Sequence, residues 1–595
     1  MSHAEHNSPT PPSAAYCGAD SSQDEIPLPD PATLVGIDVG GTFTDAVAVR
    51  YGTVIATSKA PTEADNLARS LLAALDSVLA GISATDVSRV SLSTTLITNL
   101  IAQGLVPIVP VLLIPGPGRD PSTYPLAGPS WTVGGAIDFR GREIVPLDRD
   151  EVTAILGRIR ATGYRHLAVV GKFSPRNPSH EERVLDWARQ LNPDWRLRAG
   201  HTVSGQLNLP RRAAATALTL AVEEPLRAFF TQLQKAFDAR GLTCPLVILK
   251  ADGGTLPLDA AQREPIQSVF SGPAASTMGV LALRAPGSTS VVVDVGGTTT
   301  DLALILDGEP LFSSRGASLS GVYLPTRAFA VRSLPLGGDS TVAVESGSPV
   351  LLATRAGVAA CLGGPLPTLT DALRLLGRTA LGDVHLAHAA LAKVAGAADL
   401  SAEQIAAQVV EQALSRLENG ISEMFLSWRR EHVYRIWELK QRGERRPDVV
   451  VGVGAAAEPL VPALAERLKA QVLIPRYAPV ANALGAALAR TTYTTTVHVD
   501  TEDRHFEVTE EGAVGTLSSS HFSLEDARRL AREWMVRRGQ ALGVTDPLAD
   551  CEEVLAEQFN VVEGWSTVGR ILDVRLERRC GLVGAFSNQH SAIRN

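Results

Sequence analysis

Cysteine is scarce in this chain of 595 residues, and the few cysteines lie far apart. They stand at Cys17, Cys244, Cys361, Cys551 and Cys580, with no C-x-x-C pair among them. This spacing argues against a thiolate zinc site and against the disulfide framework of a small secreted protein. Reduced thiols are the simpler interpretation, so we expect a cytoplasmic protein.

Long apolar runs and an excess of positive charge are also missing. The most apolar stretch, residues 105–117, is too short to cross a bilayer and contains four prolines. The first residues do not combine a basic region with an apolar one, as a secretion signal would. The formal charge of −8 offers no broad basic surface for a phosphate backbone. We therefore expect neither a membrane nor a nucleic acid among the partners.

The composition changes along the chain and predicts separate regions. Residues 1–32, rich in Ser, Pro, Asp and Ala, predict a disordered leader. From about residue 147 helical and strand patterns alternate, which is typical of an α/β protein with buried sheets. In residues 491–595 short strand patterns precede a helix with a capping box formed by Ser523 and Asp526. We expect a small α+β accessory extension there.

An internal repeat is the most informative feature of the sequence. DVGGTFTD (38–45) returns as DVGGTTTD (294–301), with seven identical residues in eight. Each copy follows an apolar strand pattern and precedes an alternating one. The alternative is two unrelated hairpins that both favour glycine. The repeat predicts two homologous domains, over residues 33–287 and 288–490.

Both copies have the composition of a phosphate-binding loop. Backbone N–H groups can approach a phosphate closely only where no Cβ intervenes, which selects glycine. Neither copy is a P-loop or a Rossmann turn, because neither GxxxxGK[ST] nor GxGxxG is present. Threonine hydroxyls add further donors. The candidate nucleotide-binding residues are Gly40, Gly41, Thr42, Thr44, Gly296, Gly297, Thr298 and Thr299.

Asp38 and Asp294 end the strands that lead into the two loops. A carboxylate at this position would repel a phosphate unless a cation lay between them. Mg²⁺ held largely through water is the natural cation for such a site. We therefore expect Asp38 and Asp294 to be the metal-binding residues.

The order of the motifs resembles the actin, sugar-kinase and chaperone ATPase superfamily. SGPAASTMGVLAL (271–283) corresponds to its first connecting helix, GVGAAAEP (452–459) to its adenosine segment and APVANALGAAL (478–488) to its second connecting helix. The resemblance implies two related actin-like, ribonuclease-H-like ATPase domains flanking a nucleotide cleft. It also implies ATP as the nucleotide and adds Gly452 and Gly454 to the binding residues.

Within that superfamily, residues 34–490 resemble the A-type members of the hydantoinase/oxoprolinase family. The matching motifs are GIDVGGTFTDAV, STTLITNLIAQG, FSPRNPSHE, LKADGGTLPLDAA, VFSGPAAS, VDVGGTTTDLALI and PLPTLTDA, in this order. The resemblance implies that ATP activates the carbonyl oxygen of a cyclic amide such as a hydantoin or 5-oxoproline. It further implies a B-type partner that completes the reaction, since no B-type region follows residue 490.

The expected reaction is phosphorylation of a lactam carbonyl followed by ring opening. Asp38, Asp294 and Asp301 are the candidate catalytic residues, with Asp294 or Asp301 orienting a nucleophile or a metal-bound water. Three alternatives share the loops: a carboxylase component that acts on a ketone, a sugar-kinase-like phosphotransferase, and a regulatory ATPase that activates a protein partner.

Several further polar residues have both a structural and a functional interpretation. Thr94, Thr95 and Asn99 are expected to cap a helix rather than to contact the substrate. Where the family has a plainer glycine-serine turn, LPLGGDST (334–341) carries Asp339. This carboxylate either faces the substrate and disfavours acidic compounds or caps the next strand. His385 and His388 have HxxH spacing, but a helix surface is expected there rather than a metal site.

Overall fold

The computed structural model describes most of the chain. The first described residue is 32, so the predicted leader at 1–32 lies almost wholly outside the described residues. No helix in the described part of the chain is long and apolar enough to cross a membrane. The described residues are 32–63, 66–283, 288–319, 321–431, 445–519 and 521–584.

The first half contains a mixed six-stranded sheet and an inserted unit. Its helices run over Leu67–Val78, Leu96–Ala102, Arg149–Ala161, Ser179–Leu191, Leu209–Asp238, Leu258–Arg263 and Ser271–Leu283. Its strands, in chain order, are β1 (Thr33–Val39), β2 (Phe43–Arg50), β3 (Thr53–Pro61), β4 (Val87–Thr94), β5 (Val111–Ile114), β6 (Ser130–Thr132), β7 (Ala136–Ile137), β8 (Glu143–Val145), β9 (His166–Gly171), β10 (Arg196–Ala199), β11 (Leu246–Leu249) and β12 (Thr255–Pro257).

The main sheet has the strand order β12-β11-β4-β1-β2-β3, and the inserted unit has a parallel sheet of order β10-β9-β5-β6 beside the β7-β8 hairpin. β1 is buried along its whole length. Such a strand needs apolar residues on both faces, which explains why TLVGIDV is apolar apart from Thr33 and Asp38.

The second half repeats the arrangement of the first. Its helices run over Leu369–Leu375, Val384–Ala395, Ala402–Arg430, Ala457–Leu468 and Ala481–Leu488. Its strands are β13 (Ser290–Val295), β14 (Thr300–Leu306), β15 (Glu309–Pro310), β16 (Ser318–Leu319), β17 (Val322–Tyr323), β18 (Val331–Leu334), β19 (Ser340–Glu345), β20 (Ser348–Arg355), β21 (Val449–Val453) and β22 (Gln471–Leu473).

The pairing of the strands shows that the two halves are related. β1 pairs antiparallel with β2 and parallel with β4, while β13 pairs antiparallel with β14 and parallel with β21. The registers also correspond, because Asp38 lies opposite Asp45 and Asp294 lies opposite Asp301. The predicted α/β class with two related units is confirmed.

The two connecting helices, Ser271–Leu283 and Ala481–Leu488, cross at the centre of the molecule. A Cβ on Gly279 would lie 2.1 Å from the carbonyl oxygen of Ala481. Backbones can approach this closely only where side chains are very small. This crossing explains why both helices consist mostly of Ala, Gly, Ser and Leu.

The C-terminal region is an antiparallel sheet with one helix packed against it. The helix Leu524–Ala541 begins with the predicted capping box of Ser523 and Asp526. The sheet has the order β25-β24-β23-β27-β26, built from β23 (Thr494–Asp500), β24 (His505–Val508), β25 (Ala513–Thr516), β26 (Cys551–Glu563) and β27 (Ser566–Arg578).

Candidate active site

The two glycine loops are equivalent turns that face each other. The N–H of Gly40 donates to the carbonyl oxygen of Phe43 at 3.0 Å, and the N–H of Gly296 donates to that of Thr299 at 2.9 Å. A Cβ on Gly297 would lie 3.0 Å from the Thr42 hydroxyl oxygen of the opposite loop. The loops thus nearly touch, and a side chain at Gly297 would fill the space between them.

A cavity of about 170 Å³ lies between the loops. It is lined by both loops, by the ends of β1 and β13, and by the turn that follows β21. The sequence-predicted site residues that the structure brings together here are Asp38, Gly40, Gly41, Thr42, Asp294, Gly296, Gly297, Thr298, Thr299, Asp301 and Gly454.

The structure places two predicted nucleotide-binding residues elsewhere. Thr44 is fully buried, and its hydroxyl oxygen lies 3.0 Å from that of Thr62 rather than in the cavity. Gly452 lies within β21, where a Cβ would be 2.9 Å from a methyl group of Val461. Strand alternation directs Thr44 inward, and helix packing requires the glycine at 452. Neither residue lines the cavity between the loops.

Gly454 is predicted to contact adenosine, and the structure places it beside Asp294. Its φ of +85° suits glycine, and a Cβ there would lie 2.6 Å from Oδ1 of Asp294. The turn after β21 therefore approaches Asp294 directly. This close approach is what requires glycine at the position.

The carboxylates at the base of the cavity are buried close to one another. Burial, together with the charges of Asp45 and Asp294, raises the pKa of Asp38 to about 7. Burial and the charge of Asp294 also raise the pKa of Asp301 to about 7, and burial raises the pKa of Asp294. One oxygen of Asp38 and one of Asp301 have no hydrogen-bond partner.

This donor set fits a hard cation. Unpartnered buried carboxylate oxygens whose charges repel one another are stabilised when a divalent ion binds. Among the residues that the structure describes, no group of three or more His, Cys, Asp or Glu side chains has the geometry of a metal site. Mg²⁺ does not need such a group, because it is commonly held by one or two carboxylates, water and phosphate.

Asn482 and Lys59 belong to the site but were missed from the sequence. The Asn482 side-chain N–H group donates to Asp294 at 3.0 Å and to Asp38 at 3.4 Å. The Lys59 ammonium group lies 2.6 Å from Oδ1 of Asp45 and donates to the carbonyl oxygen of Pro479. Asn482 could have been found, because it is the single polar residue in the helix Ala481–Leu488. No comparable feature of the sequence marks Lys59 as a site residue.

Asp339 contacts the second glycine loop through its backbone and pairs with Arg355 through its side chain. Its backbone N–H donates to the carbonyl oxygen of Gly297 at 2.7 Å, and its carboxylate pairs with Arg355 at 3.0 Å. Arg355 also donates to the hydroxyl of Thr42 in the first loop at 3.3 Å. Asp339 is not among the lining residues of this cavity or of the larger one next to it. It joins the two loops through Arg355.

A larger cavity of about 630 Å³ adjoins the first. The two cavities share Thr95, Thr298, Thr299 and Asp301 among other residues. The Thr94 hydroxyl accepts a hydrogen bond from the N–H of Leu96, which confirms its expected structural function. Thr94, Thr95 and Asn99 all line this cavity as well.

The two histidines of the HxxH pattern lie on the helix Val384–Ala395. His388 and Glu403 approach within 3.7 Å on exposed helix surfaces. This agrees with the expected helix surface.

Comparison with known proteins identifies the family. The pattern of the hydantoinase/oxoprolinase family matches residues 212–495, and that of its N-terminal region matches residues 34–191. The chain belongs to the hydantoinase/oxoprolinase family. The predicted resemblance is therefore confirmed.

Individual relatives and solved structures show how far the similarity extends. The alpha chain of the caprolactamase of Pseudomonas jessenii is 26% identical over 61% of this chain, and the match spans 53% of that protein, about half its length. The solved structure of an ATP-dependent caprolactamase from the same organism has a TM-score of 0.65 at 22% identity and covers 93% of this chain and 87% of that one. A nucleotide-free acetone carboxylase has a TM-score of 0.70 at 18% identity and covers 93% of this chain and 88% of that one. Both structures confirm the predicted actin-like fold.

Proposed function

We propose that this hydantoinase/oxoprolinase family member uses ATP to activate the carbonyl oxygen of a cyclic amide for ring opening. The observation that carries the proposal is the pair of equivalent glycine loops, which face each other across buried carboxylates and open into a second cavity. Similarity to one chain of a caprolactamase, named for a lactam, supports the choice of substrate class.

The loops supply the donors that a triphosphate needs. Both turns line one small cavity, and Thr298 and Thr299 are exposed within it, so their hydroxyls can donate to a phosphate. Asp38 and Asp294 would hold Mg²⁺, largely through water, and the ion would neutralise charge during phosphoryl transfer. Asn482 keeps these two carboxylates in place.

The chemistry requires activation because an amide carbonyl is a poor electrophile. Transfer of the γ-phosphoryl group to the amide oxygen releases ADP. It also makes the former carbonyl carbon more electrophilic, so that water can add to it. Addition of water and cleavage of the ring C–N bond give an amine and an acyl phosphate, and a second water releases phosphate. Asp301, at the junction of the two cavities and with a pKa near 7, is positioned to accept a proton from water.

A second protein is part of the proposal. The caprolactamase relative is named as one subunit, so we infer that this chain also works with a B-type partner. The purified chain alone should hydrolyse ATP slowly and open lactam rings little. Rapid ring opening by the chain alone would contradict the need for a partner.

Carboxylation of a ketone is the second candidate, because an acetone carboxylase shares this fold. Both reactions begin with activation of a carbonyl oxygen. They differ in the reactant of the next step, which is water for the hydrolase and bicarbonate for the carboxylase. Bicarbonate-dependent consumption of a ketone would favour the carboxylase, and an amino acid product would favour the hydrolase.

The nucleotide site is tested by thermal unfolding with and without Mg·ATP. At one hundred times Kd the parent should gain about 2.7 kcal/mol of stability. Asp38→Asn removes one charge, and Gly297→Val fills the space between the loops, so both variants should lose this gain. Asp186→Asn, on an exposed helix surface, is the matched control and should keep it. Parent-like binding by both site variants would show that the site is misassigned.

A further inference from the structure

The larger cavity lies where a second substrate would meet a phosphate bound between the loops. Thr298, Thr299 and Asp301 line both cavities, so a molecule in the larger one contacts the same loop that would bind the terminal phosphate. Its volume of about 630 Å³ is in the usual range for small-molecule sites. The position suits the group that accepts the phosphoryl.

The walls of this cavity are largely apolar. Aromatic and aliphatic side chains from both halves of the molecule form most of the surface away from the loops, and these are Phe270, Leu311, Tyr323, Phe329, Val331, Met424 and Trp428. Phe312 packs against the lining residue Phe329 in a tilted arrangement, with ring centroids 5.0 Å apart, and so supports this wall. Such a surface fits the methylene groups of a small ring.

The charged groups of the lining do not favour an anion. Among the described lining residues the carboxylates are Asp301 and Glu431, and the cation is Arg332. The Arg332 guanidinium pairs with Glu423. Glu431 accepts a hydrogen bond from the Ser314 hydroxyl at 2.8 Å. A carboxylate entering this cavity would lie beside the carboxyl groups of Asp301 and Glu431, and the cation of the described lining, Arg332, already pairs with Glu423.

A fixed neutral group is available to orient an amide. The Asn99 side chain donates to the Thr95 hydroxyl at 3.1 Å, and this hydroxyl donates to the carbonyl oxygen of Val39 at 3.2 Å. The chain of hydrogen bonds ties Asn99 to the strand that ends at the first loop. Its amide oxygen remains able to accept a hydrogen bond from a lactam N–H.

We propose that the larger cavity binds the cyclic amide and selects an uncharged ring over one that carries a carboxylate. The assignment rests on the proposed function and adds the substrate class to it. Asn99 is a positioning residue for the ring N–H, and the aromatic wall contacts the methylene groups.

The test compares 2-pyrrolidinone with 5-oxoproline, which is the same ring with a carboxylate added. Ligand-observed NMR measures the binding of each to the full chain in the presence of Mg²⁺ and a non-hydrolysable ATP analogue. We expect 2-pyrrolidinone to bind at least tenfold more tightly than 5-oxoproline. Asn99→Ala should weaken 2-pyrrolidinone binding about tenfold and leave the stabilisation by Mg·ATP unchanged.

Two results would overturn the assignment. Tighter binding of 5-oxoproline, lost in Arg332→Gln, would show that Arg332 binds a substrate carboxylate. Equal affinities would show that the cavity does not discriminate by charge. Failure of both lactams to bind a protein that still gains stability from Mg·ATP would overturn the lactam reaction itself, which is a separate outcome.

Discussion

At the scale of single residues, the site depends on carboxylates that are costly to bury. Asp38, Asp294 and Asp301 lie in one small region, and their raised pKa values record both their burial and their mutual repulsion. Groups shifted in this way are typical of functional sites. Asn482 partly offsets the cost by donating to two of the three carboxylates.

Asn482→Ala should therefore weaken Mg·ATP binding by roughly tenfold or more, since a hydrogen bond to a charged group contributes about 1.5–3 kcal/mol. Loss of this donor raises the pKa of Asp294 further, so protons compete better with the cation. The defect should be larger at pH 6 than at pH 8, as measured by titration calorimetry. Asn560→Ala, on an exposed stretch of β26, is the control. A defect of equal size at both pH values would exclude the protonation argument.

At the scale of elements, the crossing of the two connecting helices fixes the relation between the halves. Each helix follows one half of the repeat and packs against the other helix through backbone atoms. Helix propensity alone would favour alanine over glycine in the helix Ser271–Leu283. The short distance between Gly279 and Ala481 reverses this preference.

Gly279→Ala should lower the free energy of unfolding by at least about 2 kcal/mol, because backbone atoms must move to admit the new methyl group. Gly157→Ala is the matched control, since Gly157 also lies within a helix but has nothing within 4 Å of its added Cβ. That substitution should stabilise the protein by up to about 1 kcal/mol. Urea denaturation measures both. Similar effects of the two substitutions would contradict the tight crossing.

At the scale of the whole molecule, a buried ion cluster joins the inserted unit of the first half to the C-terminal sheet. Arg140 donates to both oxygens of Asp500 at 2.7 and 2.9 Å and to Glu502 at 3.0 Å. Asp500 is fully buried. Although burial by itself raises the pKa of Asp500, hydrogen bonding and the charge of Arg140 bring it below its usual value.

Arg140→Ala should destabilise the protein by about 3–5 kcal/mol, because it leaves the Asp500 charge buried without a partner. Arg142→Ala is the control two residues away, where an exposed ion pair with Asp138 contributes less than about 1 kcal/mol. Because the pKa of Asp500 is lowered, the stabilisation is complete at neutral pH and is lost as the pH falls below about 3.9. Thermal unfolding between pH 3 and 7 measures it, and equal losses in the two variants would refute the role of the cluster.

The amino-acid sequence determined the parts of this protein that are local. The repeated octapeptide indicated two related halves, and each copy specified its own turn, because strand, glycine and threonine patterns act over a few residues. The order of the motifs was enough to identify the family and hence the fold. Most of the loop residues predicted to meet at the site do line one cavity.

Contacts between segments that lie far apart in the chain were decided only by the tertiary structure. The pairing of Asn482 with Asp38 and Asp294, the bond from Arg355 to Thr42, and the apolar cavity beside Asp301 each join residues far apart in the chain. The structure places Thr44 and Gly452 outside the small cavity for the same reason, since a strand pattern does not say which side chain faces the cleft. Such contacts depend on how sheets and helices pack, and packing is a property of the whole fold rather than of any local segment.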